Sequence, residues 1–201
     1  PEGTAPVVRA YVENHMDKSG SRNKLYYMGP MFRYDRPQAG RYRQFYQYGI
    51  EFIGSNHPYY DAEVIAIEMA YLKALGLQNV RLEINSVGCA SCAKEYDLAL
   101  QDYYRQFLPE LCPDCQKRYE TKPRRLLDCK VKTCQVFRTD APSQLDYLDE
   151  DCREHFTQVR AYLDASGIKY LVNPAIVRGL DYYTNTAFEL IVDALGAQKS
   201  I

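Results

Sequence analysis

Four alternate positions of one short segment, Phe45, Gln47, Gly49 and Glu51, have the types and spacing to hold a small polar ligand. Residues two apart in a strand share a face and follow one another at about 6.6 Å. An aromatic plate, an amide, a gap without a side chain and a carboxylate therefore stand in line. That order suits a ligand laid along the strand, with a base stacked at Phe45, a polar group at Gln47, close backbone approach at Gly49 and a donor or cation at Glu51. An amphipathic strand with a polar, exposed face would carry the same residues.

Cations lie close by. Arg33 ends an upstream aromatic run, and Arg41 sits in a polar loop with Asp35, Pro37, Gly40 and Tyr42. Guanidinium groups are planar donor forks matched to phosphate oxygens. Two of them can hold the α- and γ-phosphates of a bent nucleotide in a chain that has no Gly-rich phosphate loop; a solvated turn is arginine-rich too. Glu2 and Thr4 could bind an α-ammonium, one by charge and one by its hydroxyl, while Thr4 is also placed to cap a helix. Far downstream, Arg178-Gly179-Leu180-Asp181-Tyr182-Tyr183 sets a cation beside two phenolic hydroxyls, just after a strand, a common place for ligand contacts. Adjacent tyrosines in a strand point opposite ways, so at most one of Tyr182 and Tyr183 is expected to face a given ligand. His15, His57 and His155 have no nucleophile or metal-ligand spacing and receive no role.

These groups need elements to hold them. Helical spacing predicts a helix over 7–16, with Thr4 as its N-cap and Pro6 in the first turn. Residues 24–34 and 44–53 are aromatic and apolar around a polar loop, and read as an antiparallel hairpin. Acids followed by apolar residues predict an amphipathic helix over 61–75, stopped by Gly76, and then a strand over 80–85. Further helices are expected at about 93–107, 114–121 and 150–165, leading into a strand at 169–173. Residues 86–166 are helical, cysteine-rich and charged between strand-rich flanks, the pattern of an insertion between two parts of one sheet.

At 46% hydrophobic and 25% charged, the chain can bury a core and is neither disordered nor membrane-spanning. It has neither an apolar run of bilayer length nor a charged-then-apolar leader, so a soluble, cytoplasmic protein with no membrane partner is expected. A net charge of -1 excludes a uniformly basic surface, yet residues 116–138 hold eight Lys or Arg against Glu120 and Asp128. Local contact with a nucleic-acid backbone would explain that bias, as would a solvated helix face. The start at Pro1, in mid-motif, and the end at Ile201 read as those of a fragment.

Seven cysteines is an odd number, and Cys89-x-x-Cys92 and Cys112-x-x-Cys115 have the spacing of a tetrahedral thiolate zinc site, so metal or free thiols are favoured over disulfides. An intervening helix about 22 Å long would let the two pairs meet only if the chain folds back fully. Cys129 and Cys134 could instead complete a site with Cys112 and Cys115.

Taken together, the motifs resemble class II aminoacyl-tRNA synthetases, and among them the histidyl-tRNA synthetases. Glu2-Gly3-Thr4 is similar to that family's amino-acid loop, residues 29–54 to class II motif 2, and residues 178–189 to a histidine-specific motif. The resemblance implies an α+β fold, a class II antiparallel sheet flanked by helices, incomplete here and carrying a helical insertion domain. It divides the chain into a catalytic core over 1–85, an insertion over 86–168 that touches the tRNA acceptor stem, and a return to the core over 169–201. It implies ATP-dependent activation of histidine to histidyl-adenylate and transfer to tRNA, with ATP used alongside Mg, a possible structural Zn, and a homodimeric full-length parent.

By the same resemblance, Glu2, Thr4 and Gln47 hold the α-amino group, Glu51 and Tyr183 read the imidazole nitrogens, and Tyr182 belongs to the histidine site. Arg33 binds the α-phosphate and Arg41 the γ-phosphate, Asp35 and Tyr42 lie near the adenine, and Phe45 stacks on it. Arg178 bridges the substrate carboxylate and the α-phosphate, so Arg178 and Arg33 are the expected catalytic residues. Asp35 stands where relatives often have Glu, and Tyr46 where many have His; motif 1 is expected before Pro1 and motif 3 after Ile201. The competing readings are a non-catalytic paralogue, such as the regulatory subunit of ATP phosphoribosyltransferase, and a zinc-dependent RNA-binding module.

Overall fold

Gly3 opens the first helix, α1 (Thr4–Glu13), and no side chain caps it. The expected cap, Thr4, is instead the first helical residue, because its hydroxyl is bonded to a distant carboxylate described below. The molecule is described by a computed structural model over residues 2–20, 22–34, 36, 37, 41–176 and 182–192. Asp35, Arg178 and Asp181, singled out from the sequence, lie outside the described residues. The fold is α+β, in two compact units, Pro1–Val80 with Ile191–Ile201, and Arg81–Leu190.

In the first unit, β1 (Asn23–Phe32) and β2 (Gln44–Ile53) pair antiparallel, with Leu25 opposite Glu51, Tyr27 opposite Gly49 and Met31 opposite Phe45. Next comes α2 (Pro58–Ala74), three residues earlier than the acids suggest. His57 caps it by accepting from the Tyr59 N–H through Nδ1, at 3.2 Å, and Pro58, which needs no donor partner, fills the first turn. α2 packs on part of the hairpin face that carries Lys24, Tyr48 and Phe52, while Tyr26, Met28 and Tyr46 on that face are exposed. There the Lys24 ammonium lies 2.7 Å from Glu63, the Tyr48 hydroxyl donates to Glu68, and the Phe52 ring stacks on Tyr60 at 3.8 Å. The opposite face, with Phe45, Gln47, Gly49 and Glu51, is left to α1.

The second unit runs β3 (Arg81–Ser86), α3 (Ala90–Arg105), α4 (Pro113–Thr121), α5 (Lys132–Gln135), α6 (Glu150–Ala165), β4 (Tyr170–Val172) and β5 (Thr186–Ile191). Its sheet has the order β4-β3-β5, and β3 pairs with β4 in parallel, Leu82 opposite Tyr170. A parallel pair requires a long crossover, which the four helices supply. Tyr96, Leu100 and Tyr104 of α3 build the helical core with Leu111, Leu126 and Leu127. Arg124 pins that core to α3 through Asp97 at 2.9 Å. Asp149 caps α6 by accepting from the Cys152 N–H at 2.8 Å. Among the described residues no helix is long and apolar enough to cross a membrane.

Leu100 is fully buried, whereas Leu98, two residues earlier on α3, is 59% exposed. Leu100→Ala is expected to destabilise the protein by about 2–5 kcal/mol and Leu98→Ala by less than about 0.5 kcal/mol, as read by urea denaturation. Equal losses would mean that α3 buries a different face.

Candidate functional site

The β1–β2 register builds the site. Arg33 continues the ladder past the end of β1, its N–H donating to the Arg43 carbonyl at 2.8 Å. Strand alternation puts Arg33 on the same face as Phe45, Gln47, Gly49 and Glu51. The six residue steps from Phe45 to Glu51 span about 20 Å, room for an amino acid at one end and a nucleotide at the other.

At the Glu51 end, the Thr4 hydroxyl donates to Glu51 Oε1 at 2.6 Å, which ties the start of α1 to β2. Gln47 Oε1 is buried and accepts no hydrogen bond among the described residues. Such an acceptor favours a ligand that brings an N–H. Gly49 does not leave an open gap in the strand, as its sequence position implied. The ring of Tyr27, directly opposite, fills it: a Cβ on Gly49 would lie 2.4 Å from that ring and one on Gly3 only 2.1 Å. Both contacts are with the hydroxyl end of the same ring, so Tyr27 sets how closely the Glu2-Gly3-Thr4 loop can approach the strand. The sequence reading missed Tyr27; its signal is a large aromatic residue paired across a hairpin with a glycine.

At the other end, the Arg33 guanidinium lies over the Phe45 ring, 4.3 Å from its centroid, while Arg33 Nε donates to the Tyr42 carbonyl at 2.7 Å. One face of Phe45 is thus already occupied by a cation. Tyr42 is exposed, and Arg43 lies over the Tyr34 ring at 5.8 Å.

In the second unit, the chain approaching residues 177–181 is held by two asparagines. Asn173 donates to Glu83 at 2.6 Å and accepts from the Ala175 N–H, and Asn85 donates to the Ile176 carbonyl at 3.1 Å. Just beyond, Tyr182 and Tyr183 precede β5 and are not in a strand. Their rings stack, 4.9 Å apart and 15° from parallel, so they do not point opposite ways.

The cysteines do not form one centre from Cys89, Cys92, Cys112 and Cys115. Cys89 and Cys92 sit at the start of α3 and the other pair beyond its end, and the 16-residue helix between them is about 24 Å long. Cys112 and Cys115 gather with Cys129 and Cys134, and Cys89 and Cys92 with Asp149 and Cys152. A cleft of about 500 Å³ borders the first group, lined by Arg118, Lys122, Arg125 and Lys130 against Asp114 and Asp128.

A family model described as Histidyl-tRNA synthetase matches residues 1–111, the hairpin face and the loop before it included. The chain belongs to the histidyl-tRNA synthetase family. It is 55% identical over its whole length to the histidine–tRNA ligase of Desulforamulus reducens and covers 48% of that protein, so it spans about half the length of such relatives. Among solved structures, apo histidyl-tRNA synthetase of S. aureus matches with a TM-score of 0.74 and 45% identity, over 96% of this chain and 45% of that one. An ATP phosphoribosyltransferase regulatory subunit/histidyl-tRNA synthetase from Bacillus halodurans covers 98% of this chain and 54% of its own, with a TM-score of 0.62; at 23% identity it shares the fold alone.

Within this histidyl-tRNA synthetase-family chain, burial raises the Glu51 pKa above the ordinary carboxylate value; the Thr4 hydrogen bond opposes the shift and the nearby Glu2 charge adds to it. The folded state then binds its proton more tightly than the unfolded state, so Glu51 destabilises the fold increasingly as pH rises from the ordinary value through the folded one. Glu51→Gln is expected to match the unaltered protein in melting temperature near about pH 4 and to exceed it near about pH 7. An advantage that is constant across that range would detach the effect from the Glu51 charge.

Proposed function

We propose that the full-length protein containing this chain activates histidine with ATP and transfers it to its tRNA. The observation that carries this reading is the single hairpin face with Thr4-bonded Glu51 and the unpartnered Gln47 oxygen at one end, and Arg33 over Phe45 at the other. The first end is chemically suited to an amino acid and the second to a nucleotide. The relatives named histidine–tRNA ligase, and the identity to them across the whole chain, support the choice of substrate.

In this reading histidine lies with its α-ammonium toward Glu2, Thr4 and Gln47. Glu51 accepts from one imidazole nitrogen, Tyr183 pairs with the other, and Tyr182 completes that part of the site. ATP enters as its magnesium complex, with Arg33 on the α-phosphate and Arg41 on the γ-phosphate. Asp35 and Tyr42 lie beside an adenine that stacks on Phe45. Arg178 bridges the histidine carboxylate and the α-phosphate. The carboxylate attacks the α-phosphorus in line and pyrophosphate leaves; a hydroxyl at the 3′ end of the tRNA then attacks the histidyl carbonyl of the adenylate, and the anhydride bond breaks with AMP leaving. A carboxylate is already a competent nucleophile, so catalysis is chiefly positioning and charge neutralisation.

The same reading makes 1–85 and 169–201 parts of one catalytic core and 86–168 an insertion whose basic cleft meets the acceptor stem. It also makes the full-length protein a cytoplasmic homodimer.

The full-length protein is expected to exchange labelled pyrophosphate into ATP only when histidine is present. A site with buried polar groups left unpaired rejects ligands that cannot satisfy them. Comparable exchange with other amino acids would refute the assignment. Reversing charge at Arg118 and Lys122 is expected to raise the KM for tRNA about tenfold or more and to leave histidine-dependent exchange intact, because in this reading those cations act on phosphates of the tRNA and not on histidine or ATP. An unchanged KM would remove the cleft from the RNA interface.

A further inference from the structure

All seven cysteines of the chain fall into two groups, four in Cys112, Cys115, Cys129 and Cys134, and three in Cys89, Cys92 and Cys152 with Asp149. We propose that Cys112, Cys115, Cys129 and Cys134 form a closed four-thiolate zinc site that holds the basic cleft in shape. The proposal stands whatever the substrate of the hairpin face.

Geometry is the first support. The four sulfurs lie within 4.8 Å of one another, and those of Cys112 and Cys129 are 3.9 Å apart. Zn–S bonds of about 2.3 Å in a tetrahedron put the sulfurs about 3.8 Å from each other. The group therefore needs only a small contraction to take the ion. All four are free thiols, and the Cys112 N–H already donates to Cys134 Sγ at 3.3 Å, as an amide does to a metal-bound thiolate.

Ligand chemistry selects the metal. Four soft thiolates suit zinc and exclude magnesium and calcium, which take oxygen. Cys115, Cys129 and Cys134 are buried and all four positions are filled by protein, so no coordination place is left for a substrate; the site is structural.

Charge and size complete the case. Zinc bound by four thiolates carries a net charge of about -2, with the thiol protons released to solvent. Cys112 and Cys129 line the same cleft as Arg118, Lys122, Arg125 and Lys130, so the cations surround the position of that negative charge. The elements carrying the ligands are short: α4 has nine residues and α5 four, lengths at which helices do not persist in water unaided. Metal bonds would fix these short elements where they join the core built on α3. In the other group, Asp149 is exposed and already caps α6, and it carries no part of the proposal.

The test uses the full-length protein. Elemental analysis is expected to find one zinc per chain fewer in Cys112→Ser/Cys129→Ser than in the unaltered protein; equal zinc in both would overturn the site. If the double variant fails to fold, alkylation of the unaltered protein decides. The peptides carrying these four cysteines are expected to resist iodoacetamide with zinc bound, to react after a strong chelator, and to be protected again when zinc alone is returned. Protection indifferent to chelator, or a disulfide among the four in freshly purified protein, would equally overturn it.

Discussion

Because side chains alternate along a strand, a slip of one residue in the β1–β2 register would carry Phe45, Gln47 and Glu51 to the opposite face, the one on which α2 packs. Everything proposed for the first unit depends on that register. It is held on one side by the contacts of Tyr48, Lys24 and Phe52 with α2, and on the other by the long-range bond from Thr4 to Glu51. Tyr27 adds a steric check. Its ring fits only where two residues without Cβ atoms, Gly3 and Gly49, face each other, and any other pairing would put a side chain into it.

The site is bought with stability. A buried amide oxygen without a donor, as at Gln47, costs about 1–3 kcal/mol, and Glu51 is held partly out of water beside another carboxylate. Neither feature helps the chain to fold. In the proposed reading, a ligand that supplies donors would offset both costs. The contacts on the α2 face, built from aromatic stacking and paired charge, provide the offsetting stabilisation within the same hairpin.

Much of this was legible in the residues. The hairpin followed from two aromatic and apolar runs around a polar loop, and α2 from acids followed by apolar residues and the stop at Gly76, because each signal is local. The start of α1 was misread for a physical reason. Thr4 has the chemistry of a cap, but a partner 47 residues away outcompetes the local amide. Stacked Tyr182 and Tyr183 escaped strand logic because their segment is not a strand. Cysteine spacing offered Cys129 and Cys134 as the alternative partners of Cys112 and Cys115, which is the grouping the structure has, but not Asp149 and Cys152 beside Cys89 and Cys92, since the length of α3 and the turns after it decide which sulfurs meet. Tyr27 was overlooked for the same reason, as its role exists only once the register is set.

The partition of the cysteines also orders the chain in time. Cys112 and Cys134 are 22 positions apart, Cys89 and Asp149 are 60, and Glu83 and Asn173, which join across β3 and β4, are 90. Closing a 60-residue loop costs about 0.9 kcal/mol more entropy than closing one of 22, and short-range contacts form sooner. Of these three contacts, the one within the four-cysteine group is therefore the most easily made while the chain is still emerging from the ribosome. The α3–α6 junction comes next, and the parallel strand pair, with the turn leading to residues 177–181, comes last. The helical segment can be shaped before the sheet on which its two ends depend has closed.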